Sequence, residues 1–357
     1  MTHGKGNFDK QILYNYNIPN NKLLSGGIVM KSTKFNSRIV FVLVVLILFS
    51  SFTTLSFAKT RISLKSANSA STYYAFSVGM SKAIMDGAPD IDVIVEESLG
   101  SVANVKESKT RQNFVFTSTV SNILKAFKKE GKFEEGGYEK IRTLWPIPGI
   151  VMHWLVREDS GVETFKDLVG KPFIPGGLGS SGEAITLELF ESMGILDEIQ
   201  IKKVSLKEAV DAVKNRKVVG FATSSPPPSP MVVELSSSTK IRLLSLEDED
   251  FAKFKEKNPV FTRFTILPNT YPNIDYPVKS FSNPVGTYTV SDLPEEIAYE
   301  ITKAFWENRK IMEDMHPFGK FLNMEDVVKL GAPLHLGALR YYKEIGMDIP
   351  DSLIPKN

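Results

Sequence analysis

The residues best suited to hold a small ligand lie in a stretch of glycine and serine at 176–182, which reads GGLGSSG. The residues that follow it, with Ile185, Leu189 and Phe190 on one side, predict an amphipathic helix. The first turn of a helix leaves backbone N–H groups without partners in the helix, and the helix dipole adds partial positive charge there. Because small residues let a ligand come close, this turn could bind an anionic or polar group. The alternative is a glycine-rich loop that only caps the helix.

Two more turns of small residues precede predicted helices, one ending at Thr72 and one at Gly100-Ser101. The three turns offer many N–H and O–H donors and contain no arginine or lysine. A carboxylate could be held there by donors and dipoles alone, or together with a basic residue from elsewhere in the chain. Tyr73, Tyr74 and Tyr271 could add apolar walls with a hydroxyl tip, and the alternative for each is a half-buried packing residue.

The ionisable and nucleophilic side chains offer little for catalysis. The chain has no cysteine, which excludes disulfides, thiolate metal sites, cysteine nucleophiles and a lipid anchor on cysteine. Beyond residue 58 the histidines are His153, His316 and His335, without the spacing of a metal site. We expect His153 to be a core residue and His335 to make structural hydrogen bonds, because neither has an evident partner for proton transfer. The stretch at 176–182 is neither a Walker loop nor a nucleophile elbow. We therefore expect no catalytic residue, no metal and no cofactor.

Strands and helices alternate along the first part of the chain. The predicted strands lie at 62–66, 91–96 and 113–118, and the predicted helices at 73–85, from 101 and at 120–129. Repetition of strand, small-residue turn and helix predicts a parallel α/β sheet. In such sheets ligands collect at the carboxyl ends of the strands, where the small-residue turns lie.

The α/β pattern restarts after a long apolar strand predicted at 150–157. Ser205 and Glu208 form a capping box that predicts a helix to about Lys214, followed by a strand at 218–223. The acidic residues 247–250 predict a solvated surface rather than a site. From 261 to 290 the chain is predicted to be extended, and Pro294 begins a helix with apolar residues at helical spacing. These patterns predict a hinged clamshell, with two α/β lobes joined by long strands near 150–157 and 278–290.

The N-terminal region indicates export. Within residues 30–58, Lys31, Lys34 and Arg38 precede an apolar run at 39–49, and the segment ends in Ser56-Phe57-Ala58. This is the pattern of a signal peptide, and we expect cleavage after Ala58 and a periplasmic product. An uncleaved anchor stays open, although the run is shorter than the about 20 apolar residues of a membrane-spanning helix.

Residues 1–29 are polar and patternless, and a start at Met30 would give the signal peptide an ordinary length. We therefore interpret residues 1–29 as an over-extended start. The formal net charge of the whole chain is +2, but residues 59–357 carry 37 Lys and Arg against 40 Asp and Glu. Because the basic excess belongs to the leader, no basic surface for nucleic acid is predicted.

Seven short elements, in order, resemble one known family. They are Tyr73-Tyr74 with Gly79, Gly100-Ser101-x-x-Asn104, DLVGK at 167–171, GSSG at 179–182, PSP at 228–230, LP-x-x-Y at 267–271, and PLH-x-GA at 333–338 with YYKE-x-G at 341–346. The chain resembles the TAXI family, the solute-binding subunits of a class of TRAP transporters. The resemblance covers nearly all of residues 60–350.

The resemblance implies a type II periplasmic binding protein fold, with a ligand held in a cleft between two α/β lobes. It also implies delivery of a small carboxylate, such as glutamate or a related acid, to a membrane permease driven by an ion gradient. The sequence departs from the family at Ser69, Ala70 and Ser71, where the family has glycines, and at 117–119, where it tends to have an acidic residue. These departures lie in the expected pocket and leave the identity of the ligand open.

These observations define one set of predictions. The first lobe is expected to contain 59–150 and 281–357, and the second 151–280. We expect a monomer that binds a small anionic ligand and permease subunits but no nucleic acid. The alternatives are a secreted enzyme or a tethered ligand-sensing module on the same fold. The predicted ligand-binding residues are Thr72, Tyr73, Tyr74, Gly100, Ser101, Asn104, Ser118, Gly179, Ser180, Ser181, Gly182 and Tyr271.

Overall fold

A computed structural model of the chain describes residues 59–69 and 71–355, and the structural statements that follow refer to these residues. The predictions of an over-extended start at 1–29, a signal peptide at 30–58 and cleavage after Ala58 lie outside them. No helix within the described ranges is long and apolar enough to cross a membrane.

Ten strands form one mixed sheet in the order β2-β1-β3-β10-β4-β7-β5-β6, with β8 beside β4 and β9 beside β10. The strands are β1 (Thr60–Lys65), β2 (Ile91–Glu96), β3 (Phe114–Thr119), β4 (Ile141–Arg157), β5 (Pro172–Ile174), β6 (Gln200–Ile201), β7 (Gly220–Ser225), β8 (Ile241–Leu243), β9 (Thr262–Ile266) and β10 (Val278–Val290).

The described residues also form ten α-helices, joined by short 3₁₀ turns. They are α1 (Thr72–Gly87), α2 (Ser101–Glu107), α3 (Val120–Lys128), α4 (Ser181–Ser192), α5 (Leu206–Lys214), α6 (Pro230–Ser238), α7 (Asp248–Lys257), α8 (Glu295–Glu307), α9 (Lys310–Met315) and α10 (Leu336–Glu344).

The first lobe is built on the parallel strands β2, β1 and β3. Alternate residues of β1, such as Ile62 and Leu64, are buried, because successive side chains of a strand point to opposite faces. On the same core, Trp145 stacks on Phe305 of α8 with ring centroids 4.6 Å apart. The helices that cover this sheet come from both the beginning and the end of the described chain.

The long strands β4 and β10 run antiparallel to each other and belong to both lobes. Near Val285, β10 pairs with β3 of the first lobe, and the second part of β4, from Val151, pairs with β7. Their mutual register shifts between Asn283 and Val285 and again between Thr287 and Tyr288. A shift of this kind bends a strand locally, and the first of the two lies where the chain passes between the lobes.

The second lobe is built on β7, β5 and β6, which are parallel to one another. Trp154 anchors its core, lying edge-on to Phe165 and Phe281 and donating a hydrogen bond from Nε1 to Thr186 at 3.1 Å. The capping box predicted at Ser205 is confirmed: its Oγ accepts from the N–H of Glu208, whose carboxylate accepts from the N–H of Ser205.

The predicted α/β class and its two-lobed arrangement are confirmed. Two details differ from the sequence prediction. The strand predicted to begin at Ile150 begins at Ile141. Pro146 and Pro148 lie in the part that was not predicted, and proline is unusual inside a strand. The second is helix α6, which begins with Pro230 at its first position and was not predicted from the sequence.

Candidate functional site

A narrow cavity lies between the lobes, at the carboxyl ends of the parallel strands of both. Its volume is about 60 Å³, room for only a few water molecules, so the lobes lie close together around it. Its lining residues are Ser66, Ala67, Asn68, Ser71, Tyr73, Ser98, Leu99, Gly100, Ser101, Thr117, Ile150, Gly177, Leu178, Ser180, Ser181, Ser205, Leu206, Thr223, Ser224 and Val285.

Five of the twelve predicted ligand-binding residues line this cavity. They are Tyr73, Gly100, Ser101, Ser180 and Ser181. The other seven do not line it: Thr72, Tyr74, Asn104, Ser118, Gly179, Gly182 and Tyr271. The structure therefore brings residues of all three predicted turns to the cavity, but the seven other predicted residues do not line it.

At the start of α1, the Oγ of Ser71 accepts a hydrogen bond from the N–H of Tyr73 at 3.2 Å. Thr72 is buried and its Oγ1 accepts from the hydroxyl of Ser225, in the second lobe, at 3.1 Å. The Tyr73 hydroxyl donates to the carbonyl of Pro148 in β4, and burial raises the pKa of this phenol well above its usual value. Tyr74 is half-buried. Tyr73 therefore offers the cavity its ring, while its hydroxyl is bound to the hinge strand.

At the start of α2, Gly100 has a φ of +117°, a conformation that glycine adopts readily. A Cβ atom on Gly100 would lie 3.1 Å from the Cα of Ser180 in the second lobe. Glycine is thus required here for two reasons, its backbone conformation and the close approach of the lobes. The next residue, Ser101, faces the cavity.

Asn104 lies one turn further along α2, fully buried behind the cavity. Its Nδ2 donates to the carbonyl of Ser66 at 2.7 Å and to that of Thr117 at 2.9 Å. These carbonyls lie just after β1 and near the end of β3, so Asn104 holds the ends of the two strands together. Its position makes it a support for the cavity wall.

At the start of α4, Ser180 and Glu183 each accept a hydrogen bond from a backbone N–H of the turn. The Oγ of Ser180 accepts from the N–H of Glu183 at 3.1 Å, and the carboxylate of Glu183 accepts from the N–H of Gly179 at 2.8 Å. A Cβ atom on Gly176 would lie 2.3 Å from the nitrogen of Glu183, so this tight turn needs glycine. Gly182 packs against Ser224, because a Cβ atom on Gly182 would lie 3.2 Å from the Oγ of Ser224.

The end of β3 contributes hydroxyls that cross to the second lobe. The buried Ser118 turns its Oγ back to the carbonyl of Thr119 at 3.2 Å. The Oγ1 of Thr119 instead lies 3.0 Å from the Oγ of Ser181, at the head of α4. The sequence analysis noted Thr119 only as part of the segment 117–119. In the structure Thr119 links the two lobes directly.

Tyr271 lies in the interior of the second lobe. Its hydroxyl lies 2.7 Å from Nε2 of His153 and accepts from the N–H of Ser229 at 2.8 Å. The Nδ1 of His153 lies 3.0 Å from the carbonyl of Val151, which places the ring proton on Nδ1 and makes Nε2 the acceptor of the tyrosine proton. Burial lowers the pKa of His153 to about 4. The prediction of a satisfied core histidine is confirmed.

His335 is also buried, and its Nδ1 accepts from the N–H of Gly337 at 3.2 Å, which caps α10. Burial lowers the pKa of His335 to about 4. The prediction of structural hydrogen bonding at His335 is confirmed.

Within the described ranges, the residues lining the cavity include no lysine, arginine, histidine, aspartate or glutamate. Nor do the described residues contain a group of three or more His, Cys, Asp or Glu side chains that could hold a metal ion. Three acids close to the cavity are engaged at the turns: Glu183 with the N–H of Gly179, Glu208 with the N–H and hydroxyl of Ser205, and Glu97 with the N–H of Ser69 at 2.7 Å. The bond from Ser69 lowers the pKa of Glu97. The site is therefore a set of neutral donors and acceptors with apolar side chains around them.

The sequence analysis did not identify five of the hydroxyls that complete the wall. They are Ser66, Ser98, Ser205, Thr223 and Ser224. Each lies at or just after the carboxyl end of a predicted strand or at the cap of a predicted helix. Their position at the strand ends was the only signal in the sequence. That signal is weak, because serine and threonine are common at such places for local reasons alone.

The two-lobed sheet and the cavity between its halves define the fold of a periplasmic solute-binding protein. The chain is similar in structure to MatC from Rhodopseudomonas palustris, solved with bound malate, with a TM-score of 0.51 and 11% identity over 80% of this chain and 96% of that one. It also aligns with the arginine-, lysine-, histidine-binding protein ArtJ from Geobacillus stearothermophilus, with a TM-score of 0.47 and 14% identity over 75% of this chain and 98% of that one. The chain belongs to the NMT1-like family, whose model matches residues 64–346.

Proposed function

We propose that this protein is an extracytoplasmic solute-binding protein of the TAXI type. It captures a small carboxylate ligand with one net negative charge between its lobes and delivers it to the permease of a TRAP transporter, without chemical change. The observation that carries the proposal is the cavity between the lobes, where three helix starts and the ends of the parallel strands meet. Membership in the NMT1-like family, together with the seven sequence elements, supports the choice of type.

The chemistry of the cavity supports a ligand with no more than one net negative charge. Serine and threonine hydroxyls and helix N-termini can stabilise a carboxylate without a cation. A second negative charge would lose its hydration on entering the cavity, and no positive side chain lines the cavity to compensate for that loss, which is costly. Glu97 and Glu183, next to two of the helix starts, add to that cost. An amino acid with one net negative charge, such as glutamate, satisfies this condition.

We propose that Tyr73, Gly100, Ser101, Ser180 and Ser181 contact the ligand. The seven other predicted residues, Thr72, Tyr74, Asn104, Ser118, Gly179, Gly182 and Tyr271, would then shape or support the wall. We further propose lobe boundaries at 150–151 and 280–281, within or next to the long strands, and a periplasmic location after removal of residues 1–58.

The proposal of binding without catalysis is supported by the positions of the histidines. His153 and His335 are both buried in structural hydrogen bonds away from the cavity. A general base must lie within hydrogen-bond reach of the proton that it removes. We therefore expect the ligand to be recovered chemically unchanged after long incubation with the protein.

The test is the melting temperature of the protein, produced from the full-length chain, with a panel of solutes. The panel contains glutamate, glutamine, lactate, pyruvate, malate, 2-oxoglutarate and glucose. A ligand at 100 times its Kd stabilises the folded state by about 2.7 kcal/mol. We expect at least one ligand with a single net negative charge to raise the melting temperature more than malate or 2-oxoglutarate does.

The matched variants for this test are Ser101→Asp and Ser101→Asn. An aspartate in the first turn of a helix favours the helix, so the fold should be retained, but its charge would repel an anion in the cavity. We expect Ser101→Asp to abolish the shift and Ser101→Asn to reduce it. A panel in which only the neutral sugar raises the melting temperature, equally in both variants, would contradict the proposed ligand class.

A further inference from the structure

A chain of buried hydroxyls and amides runs from the hinge to the ligand cavity. It comprises Asn283, Ser121, Thr119 and Ser181, here called the polar relay, and Asn122 joins it at Thr119. Asn283 lies in β10 where the register shifts, Ser121 and Asn122 lie in α3, and Ser181 is the first residue of α4. The relay thus begins at the bend of a strand shared by both lobes and ends at a residue that lines the cavity.

The hydrogen-bonding capacity of Thr119 is filled by the relay. Its Oγ1 accepts from the Nδ2 of Asn122 at 3.0 Å, and it lies 3.3 Å from the Oγ of Ser121 and 3.0 Å from that of Ser181. A hydroxyl has one donor and two acceptor sites, so these three partners use all of them. Only one of the partners, Ser181, belongs to the second lobe. Separation of the lobes removes the bond to Ser181 and frees the Thr119 hydroxyl to rearrange toward its two first-lobe partners or toward water.

Asn283 fixes the other end of the relay. Its Nδ2 donates to the Oγ of Ser121 at 2.7 Å, while its Oδ1 is buried without a partner. The neighbouring strand approaches closely here, since a Cβ atom on Gly149 would lie 2.9 Å from the Asn283 carbonyl. A change in the bend of β10 would move the Asn283 side chain relative to Ser121.

We infer that Thr119 is a positioning residue that couples the bend of β10 to closure of the lobes over the cavity. This inference rests on the proposed function, because it describes how the same ligand site closes. When the lobes close, Ser181 completes the bonding of Thr119, and Ser121 passes that arrangement to the hinge through Asn283. The side chain of Ser121 hydrogen-bonds to Thr119 and Asn283, and it takes part in closure through these two neighbours.

Closure can be measured without a known ligand. Glu130 and Glu191 are exposed and line the same groove between the lobes. The chain has no native cysteine, so cysteines substituted for these two residues can be labelled uniquely with pyrene maleimide. Pyrene excimer emission then reports the closed population of the labelled protein.

The decisive variants are Thr119→Val and Ser121→Ala. A net hydrogen bond of ordinary strength corresponds to about a fivefold change in an equilibrium. We expect each variant to lower the ratio of closed to open protein by about fivefold, and Thr119→Ser to restore it because the hydroxyl is kept. The controls are Thr302→Val and Ser108→Ala, which remove buried hydroxyls bonded only to the carbonyls of Ala298 and Val105 in their own helices. These controls should leave the excimer signal unchanged.

The outcomes separate the relay from a simple contact and from the proposed function. If Ser121→Ala behaves like Ser108→Ala, the relay is wrong, and Thr119 and Ser181 form a local contact only. If Thr119→Val does not fold, Ser121→Ala carries the test, with Ser108→Ala as its control. If both decisive variants open the protein but no carboxylate raises its melting temperature, the relay stands and the proposed ligand is wrong. If a carboxylate binds and neither variant changes closure, only the relay is overturned.

Discussion

Two groups of buried polar side chains use hydrogen bonds in different ways. The polar relay lies between the lobes and consists mainly of small hydroxyls with one interchangeable proton each. The second-lobe cluster, made of His153, Tyr271 and Ser229, lies inside one lobe and is built on two rings held at fixed distances. A hydroxyl can turn toward a new partner or toward water at little cost, whereas a buried ring cannot.

The comparison shows that burial and polarity alone do not identify the hydrogen bonds that change when the lobes move. In the second-lobe cluster every bond lies within one rigid body, so loss of a partner should appear as loss of stability. In the relay the bond from Thr119 to Ser181 crosses between bodies, and water can replace Ser181 when the lobes part. Loss of that bond should appear mainly as a change in closure. The following predictions are ordered from the largest expected effect to the smallest.

Tyr271→Phe should have the largest effect on stability. It leaves Nε2 of His153 and the N–H of Ser229 buried without their present partner, and we expect the free energy of unfolding to fall by about 3 kcal/mol. Urea unfolding measures the change. Tyr299→Phe, which removes a hydroxyl bonded to the exposed carboxylate of Glu344, is the control and should cost less than about 0.5 kcal/mol. Equal losses in both variants would refute the distinction between the two groups.

His153 should make stability depend on pH. Burial lowers its pKa in the folded state to about 4, against an ordinary value of about 6.5 in an unfolded chain. Between these values the unfolded chain binds more protons, so the free energy of unfolding should decrease as the pH falls from about 6.5 to about 4. In His153→Gln this slope should be smaller by about 1.4 kcal/mol per pH unit, the value for one proton.

Urea unfolding at several pH values between about 6.5 and 5 measures the slope for His153→Gln. His316→Gln is the control: His316 is only half-buried, and burial lowers its pKa as well, so its effect on the slope should be smaller. His335, whose pKa is also lowered to about 4, keeps its contribution in both proteins. A slope that is the same in the wild type and in His153→Gln would show that His153 does not contribute to the pH dependence.

The smallest effect is expected at the ion pair between Lys125 of α3 and Glu188 of α4, which spans the lobes near the relay. Both side chains are partly exposed to solvent, and such pairs contribute about 0–1 kcal/mol. Glu188→Gln should therefore reduce the excimer signal slightly at low salt and not at all at high salt. Asp292→Asn, which breaks an exposed pair with Lys140 within the first lobe, should leave the signal unchanged at either salt concentration.

Much of the fold could be predicted from local patterns. The strands β1, β2 and β3 and the helices after them were predicted from alternating apolar residues and small-residue turns, and the capping box at Ser205 was predicted from two side chains. Both signals arise within a few residues of one another. The beginning of β4 was missed because Pro146 and Pro148 weaken a local strand pattern, although pairing with β10 on one side is enough to keep it extended.

The candidate site was less predictable, because it depends on which residues meet across the lobes. Tyr73 and Tyr271 are both tyrosines in plausible segments, yet only Tyr73 lines the cavity. Tyr271 faces inward because His153, on a distant strand, offers an acceptor for its hydroxyl. Thr119 and Asn283 carried no local signal for their roles. Their significance comes from the contacts of Thr119 with Ser181 and of Asn283 with Ser121, residues far apart in sequence.

The paths of β4 and β10 also determine the order in which the sheet can be completed during synthesis. Strands β4 to β9, which include most of the second lobe, emerge before β10. Strand β3 obtains its neighbour on one side only when β10 emerges, since Thr119 pairs with Val285. Until then β3 is an open edge, the kind of strand that can pair with another chain. A chain that ends before residue 278 would therefore expose β3 permanently, and such truncated products should aggregate through the first lobe.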